Sequence, residues 1–397
     1  MLRPGGGRRM FESIARDAFL VAVAAPFIYY LLVLYSSWRF FSQPKPKPRN
    51  MFTPPVSVLK PIRGLDPEAY QNFSSFCNQD YPEYEILFCV GQTDDPVMPT
   101  LERLIHDFPK CRIRIVFCPN KEAVNDKVAK LRRLVAEAQY EAVVMGDSDV
   151  RASPDYLRTV VAPLGDSKVG AVTCFYLPAH LQTLAENLQT IGMVSDFYAG
   201  LLVGWQLEGI RFALGATIVT SRDRLAEFGG LQVIENQPGD DLLIGRLIAE
   251  HGHEVKLLPY TVMKLGGCHS LKDLLAKRMR WMVVMKHMRR SAHFGLLFTQ
   301  GLPWLLAAIA VRPSAKLALG YVAVYLGLRV AIAWSIGIRG LRQPGLWKVI
   351  ALIPLWDALA FFIWLASFPR KSIQWRDGEY YIRDGMLVAA SSRAVEK

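Results

Sequence analysis

The chain has 397 residues, 51% of them hydrophobic, and a formal net charge of +12. That is ample material for a sizeable core in one large domain or two, and the charge selects anionic partners: nucleic acid, an acidic membrane surface or a phosphorylated small molecule. The six cysteines show none of the close pairs that hold zinc, and they read as small hydrophobes in a reducing compartment.

In chain order, residues 1–17 form a tail and 18–38 a transmembrane anchor. The run AFLVAVAAPFIYYLLVLYSS, 18–37, is uncharged and matches the roughly 20 residues that cross a bilayer. A signal peptide is the rival reading, but the run is long for one and no small-residue cleavage pattern follows. Residues 39–55 are a basic, proline-rich linker that stands the next domain off the lipid.

Strands and helices then alternate. Apolar runs at 56–60, 85–90, 112–118 and 141–146 predict strands, and helical patterns at 67–78, 97–108, 125–138 and 154–162 lie between them. This is an α/β pattern on a mostly parallel sheet, in which ligands bind beyond the carboxyl ends of the strands. Lys60, the turn carrying Asp94 and Asp95, and the pair Asp147 and Asp149 all fall at such ends. No glycine-rich phosphate loop is present, so a bound nucleotide needs another counter-charge.

Asp147 and Asp149, one residue apart, can offer carboxylate oxygens to Mg or Mn; alternatively, Ser148 or Asp149 caps the next helix. Asp240 and Asp241 open an amphipathic helix after Gly239. One can be a helix cap and the other a general base. The basic stretch 271–290, with Lys277, Arg278, Arg280 and Trp281 at helical spacing, either lies on anionic lipid or reaches a diphosphate. Nucleic acid is not an expected partner, since no binding motif accompanies the charge.

Two later runs, 317–337 and 349–368, are long enough to span a bilayer, and a shorter one lies at 294–311. Arg39, Lys45, Lys47 and Arg49 favour a cytoplasmic domain, whereas Arg3, Arg8, Arg9 and Arg16 pull the other way. Three C-terminal spans would send the tail to the far side, so the 294–311 segment is expected to be re-entrant or interfacial. The stretch 181–207 reads either as part of a lipid entrance or as a core helix.

The ordered set VSVLKPIRGLDP (56–67), NQDYPEYEILFCVGQTDDP (78–96), VNDKVAKL (124–131), GDSDVRASPDYL (146–157), GDDLL (239–243), RMRW (278–281) and IQWRDGEYYIR (373–383) resembles the ceramide glucosyltransferases. The likeness extends to their bacterial relatives, including hopanoid glycosyltransferases. It implies a GT-A nucleotide-sugar-binding domain over 56–292, a C-terminal membrane region over 293–368 and a tail over 369–397.

It further implies that Lys60, Asp94 and Asp95 line the nucleotide site, with Lys127 near the base or diphosphate. Asp147 and Asp149 would hold the metal, Asp241 would be the catalytic base, and Lys277, Arg280 and Trp281 would bind diphosphate and shape the acceptor site. The implied reaction moves a hexose from a UDP-sugar to the hydroxyl of a membrane lipid, ceramide first, with inversion. A hopanoid or polyisoprenyl-phosphate acceptor is the alternative within the class, and a membrane scaffold with an inactive fold the alternative outside it. The implied location is an integral membrane protein with its catalytic domain in the cytoplasm, at the inner membrane in a bacterium. Three departures stand out: Lys277 where the motif has Gln or Arg, Gln92 where an aspartate precedes the Asp-Asp-Pro turn, and Lys130 in place of an asparagine.

Overall fold

Short apolar runs, each ended by turn residues, set the centre of the fold. In a computed structural model they become β1 (Val56–Pro61), β2 (Tyr84–Val90), β3 (Arg112–Phe117) and β4 (Ala142–Met145). The structure describes residues 14, 19, 21–43, 52–119, 124–266, 268, 270–375, 378–383 and 385–389. Residues 44–51 of the proline-rich linker and residues 18 and 20 of the expected anchor lie outside the described residues.

The chain divides into two compact units. One comprises 44–186, 208–274 and 371–397; the other comprises 1–43, 187–207 and 275–370.

The first unit is built on an eight-stranded sheet of order β3-β2-β1-β4-β7-β6-β8-β5, completed by β5 (Val150–Arg151), β6 (Val169–Pro178), β7 (Ile218–Ser221) and β8 (Glu254–Lys264). Strands β3, β2, β1 and β4 run parallel; β7 is antiparallel to both β4 and β6, and β6 pairs parallel with β8. Strands β1, β4 and β6 are buried along their whole length, as expected for a sheet covered on both faces. The order reverses between β1 and β4, because β2 lies on one side of β1 and β4 on the other. Such a switch point opens a crevice at the strand ends. Helices Ala69–Cys77, Met98–Asp107, Asp126–Glu137 and Tyr156–Val161 fall within one or two residues of their expected bounds. The tail adds a three-stranded antiparallel sheet, β9 (Ser372–Trp375), β10 (Gly378–Arg383) and β11 (Met386–Ala389), and the Leu387 amide donates to the Asn236 carbonyl at 2.7 Å.

The second unit is helical and apolar. Helix Ala25–Phe41 exposes Ile28, Leu31, Tyr35 and Trp38 on one face and buries Tyr30, Val33, Ser37 and Phe40 on another, both at helical spacing. Segments Ala315–Gly340 and Ile350–Ser367, with mean hydropathy 1.7 and 1.9, are long and apolar enough to cross a membrane. Arg290–Thr299 and Gly301–Val311 form a pair bent by 59°.

Stretch 187–207 belongs to this unit and not to the core of the sheet unit. Its five-residue π-helical turn, Met193–Phe197, carries Ser195 and Asp196. Arg329, buried on helix Ala315–Ala333, pairs with Asp357 and with Asp196 (3.0 Å) and donates to the Ser195 carbonyl at 2.6 Å. Tyr325 also donates to Asp357, and Trp356 Nε1 donates to Asp196 at 2.5 Å.

Candidate active site

The chain places a charged residue at the end of each strand flanking the switch point. Lys60, the penultimate residue of β1, is fully enclosed, with its Nζ 3.6 Å from the centre of the Phe76 ring and donating to the Asp147 carbonyl at 3.1 Å. Burial lowers its pKa to about 7, against the pull of Asp147 and Asp149. Gly146, between β4 and Asp147, permits this approach: a Cβ there would stand 2.7 Å from the Ala216 carbonyl oxygen and 3.4 Å from Lys60 Nζ.

Asp147 and Asp149 do not cap a helix. Ser148 donates to the Asp66 carboxylate at 2.5 Å, and helix Tyr156–Val161 starts at Asp155 without a side-chain cap. Asp147 instead accepts two ammonium groups. Lys127, in the first turn of Asp126–Glu137, lies 2.9 Å from Oδ1, and Lys264, the last residue of β8, donates to Oδ2. Lys264 also reaches Asp149 Oδ1 at 3.2 Å. Burial opposes the ionisation of Asp147, but the two lysines prevail and hold its carboxyl far below the usual range. Burial likewise opposes the charge on Lys127, yet Asp147, Asp240 and Asp241 raise its pKa well above the ordinary value.

The second acidic pair arrives by a sharp turn. Gly239 takes φ +76, in the left-handed region, and lets helix Asp240–Glu250 begin with two carboxylates. Asp240 lies 2.8 Å from Lys127 and does not serve as the cap. Asp241 accepts from the Gly215 amide at 3.0 Å and the Leu242 amide at 2.9 Å. Burial and the neighbouring Asp240 push its pKa up to about 6. A Cβ at Gly215 would stand 3.1 Å from Asp241 Oδ2 and 3.5 Å from Lys127 Nζ, so the glycine leaves that gap open.

Lys60, Lys127, Asp147, Asp149 and Asp241 are thus gathered at one end of the sheet, although they come from widely separated parts of the chain. The Asp95 carboxylate accepts from the Val97 and Gly64 amides at 3.0 and 3.2 Å and ties the two turns together, while Asp94 is exposed. Lys277, Arg280 and Trp281 belong to the helical unit, on Leu271–Met288. There Trp281 packs against Phe197 at 5.6 Å and under the buried Arg278, which is 5.0 Å from its ring and 4.7 Å from that of Trp356. Lys277 lies 5.7 Å from the Trp281 ring.

Lys264 is the contributor that the sequence pattern did not single out, although the rule that marks Lys60, a basic residue at the carboxyl end of an apolar strand, also fits it; Asp240, expected as a cap or a base, completes the charge cluster through Lys127.

No group of three or more metal-binding side chains occurs among the described residues. Asp147 and Asp149 nonetheless suit a hard divalent cation, since both aim an oxygen at one ammonium, and Asp149 Oδ1 is buried without a hydrogen-bond partner. Magnesium-type sites use one or two carboxylates and leave the remaining positions to phosphate and water.

A largely parallel sheet with acidic residues at its switch point is the arrangement of a GT-A glycosyltransferase. The chain belongs to Glycosyl transferase family 21, whose profile matches residues 18–388. It is 22% identical over 306 residues to Ceramide glucosyltransferase 1 of Caenorhabditis elegans, covering 74% of this chain and 65% of that protein. A segment of 155 residues is 32% identical to the Ceramide glucosyltransferase of Komagataella phaffii, covering 37% of this chain and 29% of that one. The chain therefore spans under two thirds of the length of these relatives. In fold it is similar to a mannosyltransferase of Pyrobaculum calidifontis solved with GDP-Man and Mn2+, at TM-score 0.56 and 19% identity, over 86% of this chain and 99% of that one.

Proposed function

We propose that the protein is an inverting glycosyltransferase that moves a hexose from a UDP-sugar to the hydroxyl of a membrane lipid, with ceramide as the first candidate. The observation that carries this reading is Asp241, a half-buried carboxylate whose pKa is pushed up to about 6, set among the lysines and aspartates of the β1–β4 switch point. The names of the relatives support the acceptor class, and the nucleotide sugar and Mn2+ of the solved mannosyltransferase support a comparable donor and cation. The apolar helices supply a reason for a lipid substrate: the donor is water-soluble and the acceptor lives in the bilayer.

Asp147 and Asp149 would hold a divalent cation, magnesium or manganese, which when bound offsets the charge of the departing diphosphate. Lys60 and Lys127 add fixed positive charge where no glycine-rich loop provides it. Asp241 accepts the proton of the lipid hydroxyl as its oxygen bonds to the anomeric carbon. The bond to the diphosphate breaks on the opposite face, its electron pair leaves with UDP, and configuration inverts. Lys277, Arg280 and Trp281 are assigned to diphosphate and acceptor binding, and Asp94 and Asp95 to the nucleotide pocket.

The sheet unit is assigned to one face of the bilayer; the chain leaves that unit after Leu274 and rejoins it at Lys371, and an even number of crossings between them is consistent with that assignment. We assign those crossings to Ala315–Gly340 and Ile350–Ser367, the two helices long and apolar enough to span, and read the pair 290–311, bent by 59°, as re-entrant. The catalytic unit is assigned to the cytoplasmic face.

Purified protein in detergent, offered several UDP-sugars and extracted lipids, should yield a glycolipid whose mass identifies both substrates. Asp241→Asn should abolish that product while UDP binding persists. Undiminished turnover in the variant removes Asp241 from the mechanism. Chelation should stop transfer, and Mn2+ or Mg2+ should restore it.

A further inference from the structure

Lys264 occupies an unusual position. Its ammonium lies between the two carboxylates assigned to the cation, donating to Asp147 Oδ2 and 3.2 Å from Asp149 Oδ1. Asp147 is satisfied on its other oxygen by Lys127 at 2.9 Å, so Lys264 is the charge shared by Asp147 and Asp149. The contact to Asp149 is electrostatic and not an aimed hydrogen bond, for Asp149 Oδ1 has no hydrogen-bond partner. Lysine has a flexible four-carbon stem carrying a compact charge, and it can leave such a position without disturbing the strand that bears it. The Tyr176 ring, 5.5 Å from Nζ, offers a neighbouring aromatic surface.

Two residues beyond Lys264 the chain keeps the approach to Asp149 clear. A Cβ on Gly266 would collide with the Asp149 carboxylate, standing 2.8 Å from its Cγ. The segment 264–266 thus brings a cation to the acidic pair and denies that space to any other side chain.

We propose that Lys264 is an internal counter-cation: it holds the space between Asp147 and Asp149 until a divalent cation and a nucleoside diphosphate arrive together, and then turns to the phosphates. The inference rests on the cation reading above and adds a consequence to it. A free divalent cation must displace an ammonium that has nowhere better to go, so it binds weakly alone. With a diphosphate present the displaced ammonium gains a partner, and the two ligands strengthen each other by equal factors.

The test is Mn2+ binding, read by electron paramagnetic resonance on the full chain in detergent, with and without UDP. Lys264→Met should bind Mn2+ alone at least tenfold more tightly than the unmodified protein and lose most of the strengthening by UDP. Lys264→Gln, which keeps an N–H donor for Asp147 and therefore a less exposed pair of carboxylates, should show the same tightening. Equal Mn2+ affinity without UDP in the unmodified protein and either folded variant overturns the role of Lys264 but leaves the cation site standing. No Mn2+ binding in any of them, with or without UDP, overturns the cation site itself. An unmodified protein whose Mn2+ affinity does not respond to UDP overturns the proposal without recourse to a variant.

Discussion

A base that takes a proton from an alcohol must be ionised when the alcohol arrives, and in the role proposed for it Asp241 is close to the limit of that condition. Its pKa is raised to about 6 by burial and Asp240, so the group is ionised above that pH and protonated below it. The acidic limb of the kcat/KM profile is therefore expected near pH 6, well above the ordinary aspartate range; a profile flat down to pH 5 would contradict the assignment. Gly215 offers a second test at this scale. Gly215→Ala puts a methyl group 3.1 Å from Asp241 Oδ2, and displacement of the base by a few tenths of an ångström should lower kcat about tenfold or more. Donor KM should change far less. A kcat within twofold of the unmodified enzyme would show that the carboxylate position is not critical. Asp95 adds a structural role to the one proposed for it, since its carboxylate accepts from two backbone amides and builds the turn.

At the scale of elements, the charged residues converge because β1 and β4 lie side by side where the strand order reverses, the kind of position at which such sheets bind ligands. The register is tight where the two strands end. Gly146→Ala would push a methyl group against the Ala216 carbonyl at 2.7 Å, a backbone atom with little freedom to move. A loss of about 1–3 kcal/mol in unfolding free energy is expected, measured by denaturant titration of the variant. In the helical unit, glycines set the approach of helices instead. A Cβ on Gly192 would enter the Trp356 ring, and one on Gly337 would meet Leu346 and Val194. The four parallel strands and their helices were legible from the sequence because each is a short apolar run bounded by turn residues. Strands β6, β7 and β8 were missed. These later strands pair in mixed directions outside the repeating β-helix-β pattern, so the alternation that marks β1 to β4 does not extend to them.

For the whole molecule, the buried Arg329 ties stretch 187–207 to both spanning segments through Asp196 and Asp357. Arg329→Met would leave those carboxylates without their cation, and a loss of about 3–5 kcal/mol is expected, visible as a lower thermal transition in detergent. The re-entrant assignment gives a separate expectation. A single cysteine at Ser314 should react with an impermeant reagent from the side of the catalytic unit, and one at Gln343 from the opposite side; labelling of both from one side would refute two crossings.

The sequence by itself determined the class of fold, the residues that can carry charge at strand ends, and the apolar segments near the C-terminus, because each is written as a local period or run. Apolar periodicity needs no distant partner to be read. Tertiary structure alone decided that Lys264 and Asp240 join Lys127 and Asp147, that Asp95 serves a turn, and that 187–207 leaves the sheet unit for the helical one. Those outcomes depend on which strand lies beside which and on ion pairs more than a hundred residues apart, and no local pattern encodes such pairings.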